Sequence, residues 1–136
     1  MNTGMTITYI GELRCEATHI KSGNKLITDA PPDNHGKGEA FSPTDLLCTS
    51  LACCMTTLMG IVANEKGITL GKIDADIEKI MASDPRRVVK ITIDLKLENK
   101  NFTDRDKAIL ERTALTCPVA KSLHPEIEQN ITFTYV

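Results

Sequence analysis

At 136 residues the chain has the length of one ordinary domain, and with 41% hydrophobic and 25% charged residues it carries enough apolar mass for a core. That core has to be aliphatic, because the sequence holds two Tyr, three Phe and no Trp. A net charge of -2 leaves no surplus of Lys and Arg to neutralise phosphates, which argues against nucleic acid as a partner, and no basic cluster suggests a membrane anchor.

The chain opens on extended structure. Residues 5–20 read as two short strands with a turn near Gly11, and Lys25 to Thr28 as a third after the Ser22-Gly23-Asn24 turn. Met1 to Ile10 show no basic region followed by an apolar run, so no secretory signal is expected. Asp29 to Phe41 is a long irregular segment with Pro31-Pro32, Gly36 and Gly38, the kind of loop that either serves a site or simply connects.

A helix is expected from Ser42 to about Glu65. Ser42 suits the cap, Pro43 the first helical position and Asp45 the capping-box acid, while Gly67 suits the exit. Residues 46–64 carry no formal charge, near the lower length limit for a bilayer span. Thr49, Ser50, Thr56, Thr57 and Asn64 make a helix enclosed in a water-soluble fold the better reading. Leu47, Leu51, Cys54, Leu58 and Ile61 form one stripe expected to face inward, although Leu46, Met55, Met59 and Val62 make other faces apolar too.

Two long strands follow. Ile73, Ala75 and Ile77 alternate with charged neighbours until the phase slips at Lys79-Ile80, suggesting a bulge. After Ser83-Asp84-Pro85, Val89, Ile91, Ile93, Leu95 and Leu97 alternate strictly, the pattern of a strand with one face in the core. The pair should form an antiparallel hairpin. A second helix is expected from Thr103, capped with Asp106, to about Leu115; Pro118 interrupts it and a short helix resumes to about Leu123. Ile131, Phe133 and Tyr135 alternate in a closing strand. The expected fold is α+β, with largely antiparallel sheets, in a single domain over 1–136.

Five cysteines stand at 15, 48, 53, 54 and 117. The odd count, and the absence of CxxC or HxxxH spacings, argue against a disulfide framework and against zinc. Neighbours on a helix point in different directions, so Cys53 and Cys54 do not form a pair facing one substrate. Cys54, on the inward stripe, reads by position alone as a small core hydrophobe. Cys117 precedes Pro118 and so sits near a helix cap, where unpaired N–H groups and the dipole favour a thiolate. By local cues, Cys117 is the more acidic thiol.

The run FSPTDLLCTSLACCM, followed some 60 residues later by TCPVAKSL, resembles the OsmC/Ohr family (osmotically induced protein C and the organic hydroperoxide resistance proteins), closest to its general OsmC-like branch. The family cysteine eleven residues after Pro43 falls on Cys54, and the Cys-Pro step on Cys117-Pro118. The resemblance covers almost the whole chain. It implies an intertwined homodimer with long central helices and sites at the interface. It also implies a thiol-dependent peroxidase: Cys54 attacks a hydroperoxide and becomes a sulfenic acid, Cys117 resolves it, and an external dithiol reductant restores both thiols. No bound cofactor and no metal are expected, and the cytoplasm is the expected compartment.

The resemblance further assigns the activating cation to Arg14. In the hydroperoxide branch a Glu just after the helix-starting Pro holds that Arg. Here Thr44 stands in its place, beside Asp45, so no carboxylate to orient Arg14 is evident. Asp45 and Lys37, between Gly36 and Gly38, are candidate substrate contacts, and His124 a candidate proton donor. Two other readings stand beside the peroxidase: a small-ligand-binding module on the same fold, favoured by Thr44, and a soft-metal site of Cys54, Cys117 and His124, which the spacings do not encourage.

Overall fold

In the computed structural model of this chain, which describes residues 3–136, six strands and three α-helices follow one another as β1–β3, α1, β4–β5, α2–α3, β6. Met1 and Asn2, at the start of the stretch read for a signal, lie outside the described residues. The chain divides into two compact units, Met1–Leu47 and Cys48–Val136.

In the first unit, β1 (Met5–Gly11), β2 (Arg14–His19) and β3 (Lys25–Asp29) form an antiparallel sheet in that order. Glu12 and Leu13, both with positive φ, make the tight turn that joins β1 to β2, the handedness that matches strand twist. The sheet is uncovered within its unit: β1 exposes Met5, Ile7 and Tyr9 on one side of its pleat and Ile10 on the other. The segment after β3 is more ordered than its composition suggests. A 3-10 turn at Pro32–Asn34 folds it back, and the N–H groups of Gly36 and Gly38 donate to the carbonyls of Pro31 and Ala30. A Cβ at Gly36 would collide with the Ala30 carbonyl, so a side chain cannot be accommodated there.

α1 runs Pro43–Lys66. Ser42 and Asp45 close the expected capping box, Ser42 N–H donating to the Asp45 carboxylate at 3.0 Å and Asp45 N–H to the Ser42 hydroxyl at 3.0 Å. The buried face differs from the expected stripe. Cys48, Leu51, Ala52, Met55, Met59 and Ala63 are buried, Cys54 and Leu58 are half-buried, and Leu47 and Ile61 are exposed. The reason is compositional: a helix apolar on nearly every side has no phase from which the inward face can be chosen. Its most apolar 18-residue window has mean hydropathy 2.0, long and apolar enough to cross a bilayer, yet 33% of that window is buried within the chain.

In the second unit, β4 (Ile73–Ala82) and β5 (Arg87–Leu97) form the expected antiparallel hairpin. Its irregularity falls between Ile80 and Met81, one step beyond the expected slip, and it makes Val88 rather than Val89 the buried residue at the start of β5. Ile91, Ile93, Leu95 and Leu97 then point inward as the alternation requires. α2 (Asp104–Leu115) starts on the Thr103–Asp106 capping box, and α3 (Pro118–Ser122) on Cys117. β6 (Glu128–Tyr135) pairs with the free edge of β5 in parallel, because the chain crosses over through α2 and α3 before returning. The sheets are thus antiparallel in three of four strand pairings. One apolar cluster joins the buried residues of α1 and β5 to Leu110 and Ala114 of α2, Cys117 and Ala120. Each fully buried Leu, Ile or Met there contributes about 1.5–3 kcal/mol. Tyr135 ties β6 to α2: its hydroxyl donates to Glu111 at 2.8 Å, Phe102 meets its ring edge-on, and the Lys107 ammonium lies over it.

Candidate active site

The second unit brings Cys54 and Cys117 together. Their side chains lie near enough for the Cys54 thiol to act on the acidity of Cys117, although 63 positions separate them in sequence. Cys54 comes from the middle of α1, half-buried, and Cys117 from the cap of α3, fully buried. Pro118 explains the second placement: it begins a helix that needs no N–H from that residue and leaves Cys117 in extended backbone, with its sulfur free to accept the Ala120 N–H at 3.4 Å.

Burial reverses the acidity expected of Cys117. Removal from water pushes its thiol above the ordinary value, while the Ala120 N–H pulls it back and the adjoining Cys54 thiol raises it further. Desolvation outweighs the hydrogen bond that the helix cap supplies. Cys117 therefore holds its proton more tightly than a free thiol. Cys48 is buried, Cys53 is exposed on another side of α1, and Cys15 lies in β2.

In the first unit, Arg14 is braced. Its Nε donates to Asp29 Oδ1 at 2.7 Å and its Nη2 to Asp29 Oδ2 at 3.0 Å, a two-pronged pair with a side chain only 1% exposed. Glu39 adds a carboxylate 3.5 Å from Nη2, and its N–H donates to Asp29. The hydrogen bonds from Arg14 hold the Asp29 carboxyl below the usual carboxylate range, and Asp29 holds the guanidinium firmly charged. The carboxylate that orients Arg14 is not beside Thr44; it lies directly across the sheet, where β2 and β3 pair Arg14 with Asp29. A hairpin centred on Ser22-Gly23-Asn24 would have set Pro32 opposite Arg14; the strands instead close between His19 and Asn24, whose N–H and carbonyl meet at 2.8 Å, and that register brings Asp29 across. The Arg14 side chain keeps 30% exposure.

The other candidates are engaged locally. Lys37 donates to Glu12 at 2.9 Å. Asp45 closes the α1 cap, where the Thr44 hydroxyl lies 3.2 Å from the Ser42 hydroxyl. His124 accepts the Glu126 N–H at 3.0 Å through Nδ1. Among the described residues no three His, Cys, Asp or Glu side chains converge as a metal-holding group.

The profile of the OsmC-like protein family matches residues 36–132. The chain belongs to this family. Among solved structures, a candidate osmotic stress induced and detoxification response protein from Psychrobacter arcticus is 50% identical, with a TM-score of 0.92 over 98% of this chain and 96% of that one. An OsmC-like protein from Mycoplasma pneumoniae superimposes with a TM-score of 0.81 at 19% identity, over 100% of this chain and 98% of that one. An organic hydroperoxide resistance protein OsmC from Legionella pneumophila does so at 0.72 and 18% identity, over 98% and 97%. At such identities these two establish the shared fold. No protein in the curated set matches the sequence. The OsmC-like fold, an α+β arrangement of two sheets and helices, is thus the one expected from the Pro43–Cys54 and Cys117–Pro118 motifs.

Proposed function

We propose that the protein is a thiol-dependent peroxidase that reduces organic hydroperoxides. The observation that carries this reading is the pairing of Cys54 with Cys117, the first half-exposed to an incoming substrate and the second sealed behind it. The Cys54 thiolate attacks the terminal oxygen of the hydroperoxide, breaking the O–O bond, releasing an alcohol after protonation and leaving a sulfenic acid. The Cys117 sulfur then attacks Cys54; an S–S bond forms and water leaves. An external dithiol reduces the disulfide by two exchange steps and departs oxidised. A resolving thiol held near the attacking one needs no large rearrangement.

Arg14 is assigned the role of the cation that favours the Cys54 thiolate. Its support is the bracing by Asp29, which supplies the orienting carboxylate that Thr44 lacks, together with the resemblance. Lys37 and Asp45 are assigned to substrate contacts only as far as their Glu12 and cap bonds leave them free to exchange. A homodimer is part of the proposal. It is supported by the uncovered apolar residues of β1 and by the exposed Leu47 and Ile61 of α1, which a second copy would cover. A cycle that ends in disulfide reduction suits a reducing compartment such as the cytoplasm.

The test is consumption of cumene hydroperoxide with dithiothreitol as reductant, on wild type, Cys54→Ser and Cys117→Ser. Cys54→Ser is expected to lose turnover, and Cys117→Ser to give one equivalent of trapped sulfenic acid on Cys54. Wild type treated with one equivalent of peroxide should show a Cys54–Cys117 disulfide by peptide mass spectrometry. Turnover that survives in Cys54→Ser and vanishes only in Cys117→Ser would reverse the assignment of the attacking sulfur. A second reading, a module that binds a small apolar ligand, is favoured by a groove of about 370 Å³ on the β1–β3 sheet, lined by Met5, Ile7, Ala17 and Leu26. A bound small molecule in the purified protein, with both thiols inert to peroxide, would select it.

A further inference from the structure

A cavity of about 410 Å³ in the second unit has a different chemistry from the thiol site. It is lined by Lys66 from the last turn of α1 and by Arg105, Ala108, Ile109, Arg112 and Thr113 from α2. Three of these six residues are cations, and none is an acid. Among the described residues no ion pair or hydrogen bond engages the side chain of Lys66, Arg105 or Arg112.

The acids of the neighbourhood are directed elsewhere. Arg105 and Arg112 are seven residues apart, so they lie on one side of α2 about 10 Å apart along its axis. Asp104, Asp106 and Glu111 are each about 80° or more around the helix from that row. Asp106 is held in the Thr103 capping box, and Glu111 accepts the Tyr135 hydroxyl. Glu65 adjoins Lys66 in sequence but is not part of the lining. Ala108 and Ile109 lie between the two arginines and give the cavity an apolar floor. The carboxyl end of α1 opposes an anion weakly, since its dipole is screened beyond the last turn.

We propose that this cavity is a binding site for a small phosphate monoester that carries an apolar group. Two guanidinium forks and an ammonium can reach a single dianionic phosphate from three directions, a geometry that a tetrahedral group with three charged oxygens satisfies better than a planar carboxylate. The apolar substituent rests on Ala108 and Ile109. The assignment is independent of the peroxidase reading, and no residue of the thiol pair or of the Arg14 brace takes part.

The test is a titration of the full-length 15N-labelled protein with phenyl phosphate, followed by amide chemical shifts. Saturable shifts are expected at Lys66, Arg105, Ile109, Arg112 and Thr113, weakening as salt is raised. Inorganic phosphate is expected to shift the same amides with lower affinity, and benzoate with lower affinity still. In the Arg105→Gln/Arg112→Gln double variant, phenyl phosphate should bind at least about tenfold more weakly, with peroxide turnover unchanged. The residues are exposed, so the variant should fold, and the amide spectrum itself reports whether it has. Shifts that do not saturate, shifts scattered over the surface, or undiminished binding by the double variant would overturn the proposal. Equal affinity for inorganic and phenyl phosphate would overturn the role of the apolar floor.

Discussion

The two sheets invert each other. In the second unit, β5 buries Val88, Ile91, Ile93, Leu95 and Leu97, and every polar residue between them keeps some exposure. In the first unit, Met5, Ile7, Tyr9, Ile10 and Leu26 are exposed, while the residues most completely buried are Asp29 and Ser42, one polar and one charged. The first sheet therefore owes its local order to hydrogen bonds and an ion pair, and the second to apolar packing. A three-stranded sheet with its apolar side chains in water is marginal by itself, whereas the other has a core of its own.

The largest expected effect probes the packed side of this contrast. Leu95→Ala should cost about 2–5 kcal/mol of unfolding free energy by urea denaturation, since it removes a fully buried side chain and leaves a cavity. The matching change in the first sheet, Ile7→Ala, should cost less than about 1 kcal/mol at a concentration where the protein is monomeric. If a second copy covers β1, Ile7→Ala should instead weaken self-association in sedimentation velocity. Equal costs for Leu95→Ala and Ile7→Ala in a monomer would erase the distinction.

A smaller effect belongs to the helix that borders the packed sheet. Thr103→Ala removes one half of a reciprocal cap and should cost about 1 kcal/mol, with Thr103→Ser close to wild type.

The pH dependence separates the units further. Cys117 is raised above its ordinary 9.0, so the folded protein holds that proton more tightly than the unfolded chain. Its contribution is complete below pH 9.0 and is lost as pH rises through the elevated value, so Cys117→Ala should flatten the alkaline fall in stability. Asp29 is lowered below 3.8, and its sign is opposite: the contribution is complete above pH 3.8 and is lost as pH falls through the depressed value. Asp29→Asn should flatten the acid fall and leave the alkaline one intact. Thermal melts across pH 2–11 on both variants check the pair together.

Much of this was legible in the residues. Alternation in Ile91 to Leu97 fixed which side of β5 is inward, because a strand of period two with charged partners has only one way to face a core. The Thr103–Asp106 and Ser42–Asp45 spacings placed two helix starts, because a cap is a local hydrogen-bond problem solved within four residues. The motifs around Cys54 and Cys117 carried the family.

What depended on the tertiary structure involved distant parts of the chain. The buried side of α1 was not in its sequence, since nearly every side is apolar and the neighbours choose among them. The direction of β6 was not in its alternation, which is the same for parallel and antiparallel pairing. The acidity of Cys117 turned on how much water the fold removes, and the carboxylate for Arg14 turned on strand register. A sequence settles interactions between near neighbours; desolvation and register are set only once the chain has closed on itself.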